Sequence, residues 1–225
     1  MNDAAKLFNE KLNDIIRECM RFCFLSRGKE FQLEKCEEFE KIKEEAINLK
    51  NEAIKVEDED SANAMLSSEE IINSIINELE MWVAFKDDNS NAAWDYLIDA
   101  EMSTTNAIRA HSIAAHWEKN AERLNKLESL LFPPITFLSP GMIIKYGECS
   151  ICGKEYGDCN HIRGKAYMGR FCSRILKDVE VEEVSFTNEP ANKHCLVTAI
   201  IDKGVTRDFL TWKQINSLSS ILIDK

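Results

Sequence analysis

The chain has 225 residues, enough for one large domain or two small ones, and its 44% hydrophobic and 30% charged residues suit a globular fold in water. The net charge of −11 is uneven: residues 1–132 carry 16 Lys and Arg against 28 Asp and Glu, and residues 133–225 carry 12 against 11. An acidic first part repels a phosphate backbone, and no apolar run is long enough to span a bilayer, so neither nucleic acid there nor a membrane is an expected partner.

The first ten residues hold acids where a signal peptide has a basic stretch and an apolar core, so a cytoplasmic location is expected. In that compartment the eight cysteines serve as thiols or metal ligands rather than as disulfides.

Four amphipathic helices are predicted in the first 132 residues. Phe8, Leu12, Ile15, Cys19 and Phe22 form one stripe, and Ser26-Arg27-Gly28 is read as its stop. Phe39, Ile42, Ala46, Leu49, Ala53 and Val56 form a second stripe, with Glu37 and Lys41 paired on the outer face. Glu57–Asn63 reads as an acidic connector. The capping-box pattern Ser67-Ser-Glu-Glu70 opens a third helix that buries Ile72, Ile75, Ile76, Leu79 and Trp82. Asp87–Asn91 supplies the next turn. A fourth helix runs from about Ala92 to Leu131, with a bend or break predicted at Ser103–Asn106, where helix propensity is low. Phe132-Pro-Pro134 ends it.

Short connectors favour an antiparallel bundle. Narrow apolar stripes make the helical half the expected surface for a protein partner or a second copy. Cys19, Cys23 and Cys36 fall on or beside these stripes as small core residues.

After Pro134 the pattern changes to glycine, β-branched residues and alternation. Val179–Phe186 reads as a strand pair or bulged strand, Cys195–Ile201 as a second strand, and Asn188–Asn192 as the turn between them. Trp212, Ile215, Leu218 and Leu222 suggest a short helix over 208–223. The expected fold class is therefore α+β: an N-terminal antiparallel helical bundle (1–132), then a small zinc-stapled β-containing module (133–225).

The chemically specific feature is the run Cys149-Ser-Ile-Cys152-Gly, followed by Cys159-Asn-His161 and Cys172. Zinc takes four thiolate or imidazole ligands tetrahedrally, and a cysteine-rich set is that of a closed, structural site. Five candidates compete for four places. Cys149, Cys152, Cys159 and His161 are the first choice. Cys172 in place of His161 is the alternative, because one intervening residue between Cys159 and His161 threatens strain. Arg163, Lys165, Arg170, Arg174 and Lys177 surround this block without an acid between them, and they are where nucleic acid would bind if anywhere.

Catalytic signatures are missing. The chain has no His-x-Glu element of a zinc deaminase, no Gly-x-Ser-x-Gly elbow, no phosphate loop and no pair of Glu-x-x-His elements. Ser185 and His194 are the only candidates for a nucleophile and its base.

Glu183-Val-Ser-Phe-Thr-Asn-Glu-Pro-Ala-Asn192 resembles a strand and turn near the end of phage prohead-protease-like domains. The cysteine block before it resembles an insertion in phage-derived and bacterial proteins. The resemblance covers about residues 145–200. It implies a shared structural module and carries over no catalytic residue. The expected function is a non-enzymatic, zinc-binding interaction or scaffold protein with a link to phages or phage defence. The alternatives are a divergent peptidase and a nucleic-acid binder acting through the basic block.

Overall fold

The computed structural model describes residues 1–215. Five helices come first: α1 (Asp3–Cys19), α2 (Lys29–Lys55), α3 (Glu59–Lys86), α4 (Ser90–Ala110) and, after a 3-10 turn (Ser112–Trp117), α5 (Glu118–Leu131). Six strands follow: β1 (Phe137–Cys149), β2 (Ala166–Tyr167), β3 (Arg170–Phe171), β4 (Arg174–Thr187), β5 (Ala199–Asp202) and β6 (Val205–Asp208). They pair antiparallel as β1–β4, β2–β3 and β5–β6. The fold is α+β, as expected from the sequence.

Three helices start where a short polar side chain takes a free backbone N–H. Asn2 accepts from Ala5 N at 2.9 Å, Asp58 from Ser61 N at 3.1 Å and Asn89 from Ala92 N at 3.1 Å. The Asp58 cap moves the start of α3 well ahead of the predicted Ser67. Glu59 and Asp60 sit in its first turn, where the helix dipole favours acids, so most of the predicted connector is helix. Gly28 caps the start of α2 rather than closing α1, which ends at Cys19. The intervening turn is held by Gln32, whose side-chain amide donates to the carbonyls of Phe22 and Phe24. The predicted break at Ser103–Asn106 does not occur. The chain breaks at His111, which is extended and accepts from Ile113 N through Nδ1.

α3 is buried on nearly every side, and its buried serines and Glu78 find partners inside the protein. Ser67 donates to the carbonyl of Ala107, and Ser68 donates to Asn9 at 2.6 Å. Ser74 shares a 2.7 Å hydrogen bond with Thr104. Glu78 is 1% exposed and receives both guanidinium nitrogens of Arg123 from α5, one of them at 2.6 Å. Asn120 accepts from Arg123 and donates to Thr104, closing one network over α3, α4 and α5.

One apolar cluster joins α1, α2 and α3, with Cys19, Cys23 and Cys36 among its core residues. A second joins the C-terminal half of α3 to α4 and α5, and it takes in Phe132 and Phe137. A third sets Ala166 of β2 against Leu66 and Ala110.

β1 and β4 form a ribbon of 13 and 14 residues, about 40 Å long. Phe137 anchors one end in the helical core, and Cys149 belongs to the cysteine cluster at the other. Directly opposed residues of an antiparallel pair share a face. Leu138 opposes Phe186, and Pro140 opposes Val184. Past a bulge, Met142 opposes Val181 and Ile144 opposes Val179. The bulge absorbs the extra residue in Val181-Glu-Glu-Val184, which keeps both valines on one face. The other face carries Ser139 against Ser185, Glu183 beside Gly141, and Ile143 against Glu180, which also pairs with Lys145 at 3.6 Å.

The partner of β4 is thus β1, which the sequence reading passed over. Of the predicted strand Cys195–Ile201, only Ala199 onward is regular, and it pairs with β6 across Lys203-Gly204. Leu196 makes a single bridge to Phe137. The predicted helix over 208–223 is not formed from Asp208 to Ile215. Asp208 there accepts from Thr211 N and Oγ1, both at 2.7 Å, in a turn. The rest of that prediction lies outside the described residues.

The segment 191–195 lies along α4 and α5. Trp94 Nε1 donates to the carbonyl of Lys193, and Lys193 Nζ donates to Glu101 at 3.0 Å and Glu128 at 2.6 Å. Burial, helped by the charge of Glu128, pushes the Glu101 carboxyl up to about 7 against the pull of Lys193.

Two stability predictions follow from these groups. Arg123→Met leaves a buried carboxylate unpaired and is expected to cost about 3–5 kcal/mol in chemical denaturation, most of it recovered by adding Glu78→Leu. A carboxyl raised in the fold contributes stability that is full below its unfolded value of about 4.3 and is lost as pH rises through 7. Glu101→Gln is therefore expected to melt higher relative to wild type at about pH 8 than at about pH 5.

Candidate metal centre

The centre is built on the end of β1. Cys149 closes the strand, and the chain turns over Ser150–Gly153. Gly153 N donates to the carbonyl of Cys149 and Cys149 N to that of Lys154, both at 2.8 Å. Gly153 has φ +70° with open space around its α-carbon, so glycine is there for the backbone conformation. Ile151 N points at Cys149 Sγ, 3.4 Å away.

A short turn at Tyr156–Asp158 then delivers Cys159, Asn160 and His161. Cys159 is extended, with φ −121° and ψ 158°. Residues two apart in an extended chain point the same way, so Cys159 and His161 reach one centre without strain. That removes the objection to a one-residue spacing.

The ligand atoms of Cys149, Cys152, Cys159 and His161 all lie within 4.8 Å of one another. Four donors around one tetrahedral ion stand about 3.8 Å apart when the metal–sulfur distance is about 2.3 Å. This group can hold a metal ion. His161 Nδ1 is buried with no hydrogen-bond partner, as a nitrogen reserved for a metal would be.

The His161 ring stands edge-on to Tyr167, with centroids 4.7 Å apart. The phenol of Tyr167 accepts from Ile162 N at 3.0 Å, and that of Tyr156 accepts from Arg163 N at 2.8 Å. These two tyrosines shape the ligand loop, and no spacing rule in the sequence singles them out.

Cys172 is outside the group of four, although its Sγ lies 3.7 Å from that of Cys149. Burial and the neighbouring Cys149 push the Cys172 thiol up to about 11. Burial also opposes ionisation of Cys149. The backbone N–H groups of Cys152 and Ile151, with the thiols of Cys159 and Cys172, outweigh it and bring Cys149 down to about 6. Burial, followed by the proximity of Cys149, raises Cys159. Cys172 thus lies within hydrogen-bonding distance of Cys149, beside the group of four.

The loop docks on the helices. Met168 N donates to Glu59 at 3.3 Å and Gly169 N to Asn63 at 2.8 Å. A β-carbon on Gly169 would sit 3.1 Å from Lys50 Cγ and 3.3 Å from Ile54 Cδ1, so glycine permits the close approach to α2.

The basic residues around the block sit on different elements. Arg163 and Lys165 meet Arg109 of α4 around a cavity of about 570 Å³. Arg170 lies in β3, and Arg174 and Lys177 belong to β4, with Lys177 facing Glu148 at 3.6 Å. Ser185 donates to the carbonyl of Ser139 on the ribbon. His194 directs both ring nitrogens at carboxylates, Asp95 and Asp99, each at 3.1 Å.

The donor set generates a prediction. Cys149→Ser and His161→Ala are expected to lose stoichiometric metal binding. Cys172→Ser is expected to keep one ion per chain with affinity lowered about 10–100-fold, as measured by competition with a chromogenic chelator.

No protein-family model matches the chain, and no curated protein or solved structure does either.

Proposed function

We propose that the protein is a non-catalytic interaction protein whose structural zinc, held by Cys149, Cys152, Cys159 and His161, staples one end of the β1–β4 ribbon to a helical platform. One observation carries this reading: a contiguous apolar face stands exposed on a ribbon that ends in the Cys₃His group. Four soft donors make a closed set with no place for a catalytic water. Zinc fits them better than magnesium or calcium, which take oxygen ligands.

The peptidase alternative finds little support. Ser185 is tied to a ribbon carbonyl, and both nitrogens of His194 already face carboxylates. Nucleic-acid binding is disfavoured by Glu180 and Glu183 on the polar face of the same ribbon. We read the phage-like block at about residues 145–200 as a shared structural module, and a phage-related role belongs to this proposal through that block alone. No helix of the described residues is long and apolar enough to cross a membrane.

Two measurements test the reading. Elemental analysis of protein purified without chelators is expected to find one zinc per chain, and its absence would sink the proposal. A photoreactive amino acid at Val184 is expected to form covalent adducts in cells, whereas one at Ile143, on the opposite face, forms none.

A further inference from the structure

From Leu138–Phe186 to Ile144–Val179 the apolar face of the ribbon carries eight side chains with no charge among them, in a chain of net charge −11. Toward Cys149 the same face continues with Tyr146 opposite Lys177 and Glu148 opposite Ile175, where Lys177 and Glu148 pair at 3.6 Å. Phe186 is 73% exposed, and Val181 and Val184 are each 60% exposed. Isolated two-stranded ribbons are marginal in water, and monomers rarely leave an apolar patch this large uncovered. The bulge between Val181 and Val184 makes the point sharper. Without it the valines would fall on opposite faces, so the extra residue serves to keep the face continuous.

We propose that this face is a dimer interface and that its occupant is the same face of a second copy of the chain. The inference rests on the reading of the ribbon as an interaction surface and names what covers it. Three observations favour a second copy. The first is area. These exposures leave on the order of 600 Å² of apolar surface bare on each copy, and two such faces together give about 1,200 Å², the size at which specific interfaces become stable.

The second is charge. Packing the uncharged stretches together leaves Lys145, Glu180 and Glu183 of both copies on the far side. Lys177 and Glu148 at the Cys149 end of the contact face already neutralise each other, so the contact centres on the uncharged part of two acidic chains. The third is the state of the ribbon's edges. Pro140 supplies no N–H, and the bulge interrupts β4, so both edges are poor templates for an added strand. Association therefore goes face to face, with the two ribbons related by a twofold axis across their apolar sides.

Sedimentation velocity of the full-length, metal-loaded protein at micromolar concentration tests this. The expected result is a species of twice 25.8 kDa. Val181→Glu with Val184→Glu is expected to weaken association by about a hundredfold or more, with helical circular dichroism and metal content unchanged. Ile143→Glu, an equal change on the opposite face, is expected to leave the dimer intact. A wild-type monomer overturns the inference. So does a dimer that survives the double substitution, or one that Ile143→Glu dissociates equally while the protein stays folded. The broader reading fails separately. A monomer whose Val184 probe captures a foreign protein removes the second copy and keeps the interaction surface, whereas a Val184 probe that captures nothing removes both.

Discussion

The buried pair Glu78–Arg123 is the constraint on which the helical platform depends. α3 runs through the middle of the protein, and a carboxylate at its core has no route to water. A lone buried charge is costly, so the sequence must bring a cation to it. Arg123 is delivered by α5, and Asn120, Thr104 and Ser74 complete the network. The apolar contacts of α3 with its neighbours are tolerant of sliding. This set of directional bonds is not, and it fixes how α4 and α5 sit along α3. Leu66, Ala110 and Trp94 are thereby placed where the later strands land on them.

The C-terminal part has little core of its own. The metal loop buries mainly Ala166, Cys149 and Cys172, far less than a free-standing fold of that size needs. Two devices compensate. A metal in the Cys₃His group would tie the turn after β1 to Cys159 and His161, and the loop packs into the surface made by α2, α3 and α4 through Gly169 and Ala166. Ion binding and docking on the helices would therefore be linked, since each positions the segments the other requires. The same platform holds the opposite end of the ribbon through Phe137.

Legibility in the sequence followed the physics of each element. Long helices with apolar stripes were readable because period 3.6 is imposed by burial on one side. The start of α3 was misread because its buried serines look like a capping box, whereas in the fold they are internal donors on an all-round buried helix. The break at His111 could not be seen from propensity. The poor helix formers Ser103 and Thr104 are held helical by tertiary packing. β1 was missed because Pro140, Gly141 and Gly147 lower its strand propensity, and because its pairing partner lies far along the chain. The metal block was readable since ligand spacing is local, while the place of His161 needed the extended backbone at Cys159. Tyr156 and Tyr167 act through phenol contacts made only once the loop is closed.

The metal loop also bears on how the ribbon comes to exist at all. Residues 150–173 separate the paired residues Cys149 and Arg174, so β1 and β4 are the arms of a hairpin with an unusually long connection. Closing such a connection costs chain entropy before any strand pair forms. An ion held by Cys149, Cys152, Cys159 and His161 would close the first half of that connection and leave 162–173 to the β2–β3 pair and the docking of Gly169 on the helices. Pairing can then proceed one residue at a time from Cys149 and Arg174 toward Phe137 and Thr187. Phe137 in the helical core fixes one end of β1 and Cys149 in the cysteine cluster the other, which opposes a register slip. A metal ion at that site would shorten the loop the ribbon has to close, and so would favour assembly of the distant apolar face in its correct phase.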